Sequence, residues 1–316
     1  MSERILDIFH RQVDIEEGVC LMSFTQLTEL VRLAEGRQLK ISDVMLAVEV
    51  EEQGCGAEEI QERMARQFTV MEAAVRRGIA EVLPSRGGLI GGDAQRLWSR
   101  FQKNGSSLVG AVATSAMAFA MAVSEVNASM GIIVATPTAG AAGILPGVLV
   151  ALLDTGQYSR AAVNQSLLTA AAIGLAIANS SSISGAAGGC QAEVGSATAM
   201  TAAAVVELCG GTPQEAVDAV GLALTNSLGL VCDPVAGLVE VPCIYRNGLH
   251  AITALAAAEC AMAGVHNIIP ADEVVGAMYD IGNAMPASLR ETGIGGLAGT
   301  PTGRRLRREI LGGVEQ

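Results

Sequence analysis

The sequence predicts an all-α protein, and three observations point there. Half of the residues are hydrophobic but only 3% are aromatic, with Ala and Gly supplying much of the bulk. That composition suits closely packed helices better than a sheet sandwich. Apolar residues recur at three- and four-residue spacings, as in Leu27, Leu30, Val31 and Ala34, the period of one helical face. Finally, no run of alternating β-branched residues offers a central sheet. A length of 316 residues gives ample core. That length allows one large domain or two smaller ones, and residues 1–23 read as a short mixed-charge extension ahead of the helical pattern over 24–316.

Residues 24–81 read as helices, with Ser42 the expected N-cap of the second. The acidic group Glu49, Glu51, Glu52, Glu58, Glu59 and Glu62 reads as a solvated face. Gly-rich turns at Pro84–Gly88 and Gly91–Asp93 break the pattern; such turns serve as connectors or cradle anions on backbone N–H groups. Trp98, the only tryptophan, should anchor the next helix. Leu108–Val123 reads as a buried helix with small residues that permit close approach. Thr136–Gly140 is a polar, Pro-constrained loop, and helices follow from Pro146 and over Ala161–Ala178 and Ala192–Leu208. Thr212-Pro213-Gln214-Glu215 is a capping box with Pro at N1. Asn247–Ala263, Asp272–Met285 and Arg304–Leu311 complete the set.

The net charge of −12 argues against nucleic acid and against an anionic membrane surface. Only seven charged residues lie between Gly105 and Val231, which raises a membrane reading. The apolar runs there are interrupted short of the about 20 residues a span needs, and loops lack clustered Lys or Arg. A buried core is the better account. Seven cysteines behind a polar start, Met1-Ser2-Glu3-Arg4, suggest a reducing cytoplasm without a disulfide framework.

Three cysteines stand in loop-forming surroundings of Gly and Pro: Cys190, Cys232 and Cys243, spaced Cys-x41-Cys-x10-Cys. Loops let sulfurs converge on a soft metal or an iron–sulfur cluster. Equally, free cysteines are among the most buried residue types, and the spacing leaves both readings open. Cys209 and Cys260, among apolar neighbours, read as small core residues; His10 and Cys20 read as surface or packing residues, and Cys55, in a turn between two glycines, as incidental.

The strings Ser182–Gly195 and Gly229–Cys243 resemble the α chain of the iron–sulfur-dependent L-serine dehydratases (L-serine ammonia-lyases). Asn127–Gly131, Thr136–Gly140, Ile269–Val274 and Gly295–Gly303 extend the resemblance, which runs from about Phe24 to the C-terminus. It implies that Cys190, Cys232 and Cys243 hold a [4Fe–4S] cluster. It also implies elimination of water from L-serine, giving pyruvate and ammonia, at an iron with an open position. Some single-chain relatives carry a terminal cysteine that can fill that position; the end Gly312–Gln316 has none. Asn127, Thr136, Thr138, Ser182 and Ser184 are the candidate substrate-binding groups in the matched loops, with helix capping the competing role for Ser182. Thr300-Pro301-Thr302 repeats the Thr-Pro-Thr pattern and offers a second flanking loop.

Pyridoxal phosphate needs a Schiff-base lysine. Only Lys40 and Lys103 exist, and neither has a fitting context. No residue stands out as general base: His250 and His266 both look structural. The resemblance implies a smaller β chain that completes the site, and an oligomer. Alternatives are an L-cysteine desulfidase on the same fold, a non-catalytic metal-free or zinc-stabilised subunit, and a membrane transporter component.

Overall fold

The computed structural model describes residues 23–312, and nearly all of the resemblance lies within them; His10 and Cys20 fall outside. Thirteen α-helices, with short π and 3-10 segments, make up the described residues, and the only β pairing among them is an isolated bridge between Cys232 and Arg290. The helices are α1 (Leu27–Gly36), α2 (Ile41–Gln53), α3 (Ala57–Ala80), α4 (Asp93–Asn104), α5 (Ala111–Ala128), α6 (Ile144–Asp154) and α7 (Arg160–Ser180). After the single turn α8 (Gly185–Gly188) come α9 (Ser196–Leu208), α10 (Pro213–Thr225), α11 (Cys243–Met262), α12 (Ala271–Ala284) and α13 (Pro301–Leu311).

Helix α9 is the axis of the fold. Every residue from Ser196 to Glu207 is buried, and it packs against α6, α7, α10 and α11. An Ala-rich sequence explains this, because small side chains expose no polar atoms and let neighbouring backbones approach. A second seam joins α5 to α6 and α11. Glycines on α6 and at its start set that seam: a Cβ at Gly143 would fall 2.2 Å from the Ala120 carbonyl oxygen, and one at Gly147 would fall 2.5 Å from the Ala120 nitrogen. Gly143→Ala is therefore expected to cost about 1–3 kcal/mol, the usual scale of overpacking, read as a lower denaturant midpoint.

Helices α5 and α7 are long and apolar enough to cross a membrane, yet 61% of each apolar window is buried within the fold. Leu27, Leu30, Val31 and Ala34 face the core as the spacing predicts. Trp98 packs against the Phe119 ring at 4.9 Å, and the Thr212–Glu215 capping box forms.

Four expectations need correction. Ser42 is not the cap of α2, which Lys40 occupies; it is buried in the first turn, its N–H donating to Glu207 Oε2 at 3.2 Å. The buried helix begins at Ala111, leaving Leu108 and Val109 exposed, because Gly110 at φ 83° ends the preceding turn. Cys209 and Cys260 are exposed rather than core residues: Cys209 ends its helix at the surface beside the Tyr158 hydroxyl, 3.1 Å away. The Thr300 hydroxyl is not free for a substrate: its Oγ1 caps α13 by accepting from Gly303 N and donates to Leu297 O.

The Gly-rich turns prove to be anion cradles, and their anions come from the chain itself. Gly92, Asp93 and Ala94 donate backbone N–H groups at 2.7–3.1 Å to the buried Glu125 carboxylate, at the N-terminus of α4 where an anion is favoured. Ser85 Oγ and the Gly87 and Leu89 N–H groups donate to buried Glu240.

Burial raises the Glu207 pKa above its ordinary 4.5, against the opposing bonds from Ser42. A carboxyl raised in the folded state contributes stability that is complete below 4.5 and is lost as pH rises through the folded value. Glu207→Gln should therefore flatten the fall in unfolding free energy on going from pH 4.5 toward neutrality. Urea titrations across that range check it.

Candidate metal centre

Three loops meet at one end of α9. Cys190 closes the turn after α8. It precedes a π-helical segment, Gln191–Gly195, that runs straight into α9; such single-turn π segments recur at functional sites. Gln191 fastens this segment on both sides: its N–H and side-chain oxygen pair with Leu230 O and Gly229 N, and its amide nitrogen donates to Met278 O. Cys232 lies beside the Leu289–Glu291 stretch, donating its N–H to Leu289 O and accepting from Glu291 N. Cys243 opens α11, where its carbonyl accepts from Asn247 Nδ2, a side chain that also grips Gly140 O and Gly143 N.

All three cysteines are buried. The sulfurs of Cys190 and Cys232 and a carboxylate oxygen of Glu193 all lie within 4.8 Å of one another. A hydrogen bond from Cys232 is the main influence that lowers the Cys190 pKa, with the Arg246 cation adding to it. The same bond and burial push Cys232 up, and burial pushes Cys243 up. Arg246 Nη1 approaches Cys190 Sγ at 3.4 Å and Val231 O at 2.8 Å, while Nη2 pairs with Asp233 Oδ1 at 2.8 Å. Asp233 Oδ2 in turn accepts from Leu297 N.

Gly185 closes the opposite wall. A Cβ there would stand 3.0 Å from Cys232 Sγ, 3.2 Å from Glu193 Oε2 and 3.4 Å from Glu291 Oε2. Glu291 itself adopts φ 62°, an uncommon backbone for a residue with a side chain. Glu193 is 8% exposed and forms no ion pair among the described residues; burial raises its pKa against the Thr138 hydroxyl that donates to its Oε1.

The predicted substrate-binding residues divide. Thr138 meets Glu193 directly. Thr136 Oγ1 is buried without a hydrogen-bond partner. Asn127 is spent on the loop, donating to Ala139 O at 3.1 Å. Ser182 Oγ accepts from Ser184 N at 3.1 Å, a local turn, and Ser184 precedes α8 without a capping side-chain bond. Both histidines are held by structure: His250 Nδ1 sits 2.9 Å from Arg246 O with its pKa lowered by burial, and His266 Nδ1 sits 2.8 Å from Asp218.

The family model described as serine dehydratase alpha chain matches residues 36–298. The chain belongs to that family. Among its relatives, it is 51% identical over 291 residues to a Bacillus subtilis protein named "probable L-serine dehydratase, alpha chain", covering 92% of this chain and 96% of that one. It is 44% identical over 283 residues to the Peptoniphilus asaccharolyticus "L-serine dehydratase, alpha chain", covering 90% and 97%. A Streptomyces coelicolor "L-serine dehydratase" is 38% identical over 292 residues, 91% of this chain but 63% of that longer protein.

The donor set suits a thiophilic metal. All three thiols are buried, two of them lie within 4.8 Å of each other and of a Glu193 carboxylate oxygen that forms no ion pair among the described residues, and Gly185 keeps a side chain away from Cys232. The sequence reading missed Glu193, Asp233, Arg246 and Glu291. Glu193 and Asp233 sit inside the matched strings, three residues after Cys190 and one after Cys232, but a lone carboxylate carries no spacing signature.

Proposed function

We propose that the chain is the cluster-bearing subunit of an L-serine ammonia-lyase, with Cys190, Cys232 and Cys243 holding a [4Fe–4S] cluster. The observation that carries this reading is the burial of these cysteines where three loops converge. When bound, such a cluster supplies a Lewis-acidic iron that makes a serine hydroxyl a better leaving group. The chain's own residues do the rest. Arg246 holds Cys190 toward its thiolate form, the form that ligates metal. Thr136 Oγ1, buried and unpartnered, lies in the same loop as Thr138, which meets Glu193, and is the hydroxyl we assign to a polar atom of the substrate. The buried walls around Ala141, Ile144, Val194 and Ala197 keep water away. Loss of water from serine leaves an enamine that hydrolyses to pyruvate and ammonia without further help.

The Cα proton needs an acceptor, and the Nδ1 atoms of His250 and His266 are engaged by Arg246 O and Asp218. We assign it to a partner β chain, in keeping with the alpha-chain names of the relatives, and place the assembly in the reducing cytoplasm, where free thiols persist. A second reading has specific support: the tight Cys190–Glu193–Cys232 triple also suits a single zinc ion. Metal and sulfide analysis of anaerobically purified protein separates the two. The test of function is product formation from serine, threonine and cysteine by the chain with and without its partner. Pyruvate from serine supports the proposal; sulfide release from cysteine alone replaces it with the desulfidase.

A further inference from the structure

Glu193 has no assigned task, and its placement is unusual. It lies in the π-helical segment, one turn after Cys190, so its carboxylate projects to the side on which the sulfurs gather. Burying an unpaired carboxylate is costly unless it is paired or bound to a metal. Among the described residues it forms no ion pair; Arg246, the cation bound into the site, is taken by Cys190, Val231 and Asp233. What the chain does supply is orientation. The Thr138 hydroxyl donates to Oε1. Gly140 lies so close that a Cβ there would stand 2.6 Å from Oε1 and 3.0 Å from Oε2. Oε2 is the oxygen that shares the Gly185 wall with Cys232 Sγ, at 3.2 Å and 3.0 Å from the same point. Loop and helix therefore hold a carboxylate oxygen among the thiols, in ligand range of two of them.

We propose that Glu193 is the fourth protein ligand of the centre, an exchangeable carboxylate that occupies the iron not held by cysteine until substrate arrives. The chemistry is consistent. A carboxylate is a harder ligand than thiolate and binds iron more weakly among soft donors, so a substrate carboxylate can displace it without any change in the three cysteines. Displacement leaves Glu193 in its Thr138 bond. Thr138 is then a positioning residue that acts through Glu193. This inference rests on the cluster reading, and its test keeps the two apart.

The experiment is Mössbauer spectroscopy on 57Fe-reconstituted, substrate-free protein, comparing wild type with Glu193→Gln and Glu193→Asp, alongside air exposure followed by EPR. Gln keeps the shape but ligates poorly; Asp keeps the charge but withdraws the oxygen. The expected result is one iron environment in wild type that is distinct from the others and changes in both variants, with the cysteine-bound irons unchanged. In air, the variants should yield the [3Fe–4S] signal roughly tenfold faster, the scale on which an altered metal shell changes retention. A distinct iron with the same parameters and the same air lifetime in wild type and in either folded variant overturns the inference while leaving the cluster reading intact. Wild type that assembles no cluster overturns both.

Discussion

Cys232→Ala is expected to abolish iron retention and serine turnover together, while leaving the helical content of the chain nearly intact. Cys190→Ala and Cys243→Ala should behave alike. The physical reason is that three thiols are the minimum set the site offers, and each lies in a different loop: before the π segment, beside Leu289–Glu291, and at the start of α11. Removing one leaves two soft donors and a carboxylate, too few to hold the group. Binding also releases protons, since Cys232 and Cys243 have raised pKa values, so metal uptake should improve with rising pH. The controls are Cys209→Ala and Cys260→Ala. Both side chains are exposed, so activity and stability should stay within about 0.5 kcal/mol of wild type. Iron content by chemical analysis and turnover by pyruvate formation check each variant.

Asp233→Ala should be the most destabilising single change near the site, by about 3–5 kcal/mol, the cost of leaving one partner of a buried ion pair uncompensated. Both side chains are largely shielded, at 15% exposure for Arg246 and 4% for Asp233. Asp233 also accepts from Leu297 N, so its loss frees the loop that carries Glu291 as well. Arg246→Lys should rescue little, because an ammonium cannot reach Cys190, Val231 and Asp233 with the fork that the guanidinium provides. Urea unfolding followed by circular dichroism gives the stability, and cysteine accessibility to a thiol reagent gives the local effect. An Asp233→Ala protein as stable as wild type, with its three site cysteines still protected, would show the network to be ornamental.

Much of this architecture can be read from the sequence because its signals are local. Small-residue helices, the capping box at Thr212 and the face of Leu27–Ala34 depend on neighbours in the chain. Errors arose where distant residues decide. Ser42 looks like a cap, but Glu207, 165 positions away, draws it into the core. Leu108 and Val109 are apolar enough to seem buried, yet Gly110 turns them outward. Cys209 has apolar neighbours in sequence but ends its helix at the surface. The cysteines were legible through their surroundings, whereas Glu193, Arg246 and Glu240 were not: a carboxylate or guanidinium becomes part of a site only through partners from other loops. The Gly-rich turns show the same limit, since their capacity to cradle an anion was apparent but their occupants, Glu125 and Glu240, were not.

The central claim is that the three converging cysteines hold a cluster that removes water from serine. It is tested most directly by purifying the chain anaerobically with its β-chain partner and measuring iron, acid-labile sulfide and pyruvate formation on the same sample. The account predicts iron and sulfide in equal amounts, with serine turnover that rises and falls in proportion to them during reconstitution and air exposure. Full turnover in protein free of sulfide, or zinc in place of iron in an active preparation, would contradict it.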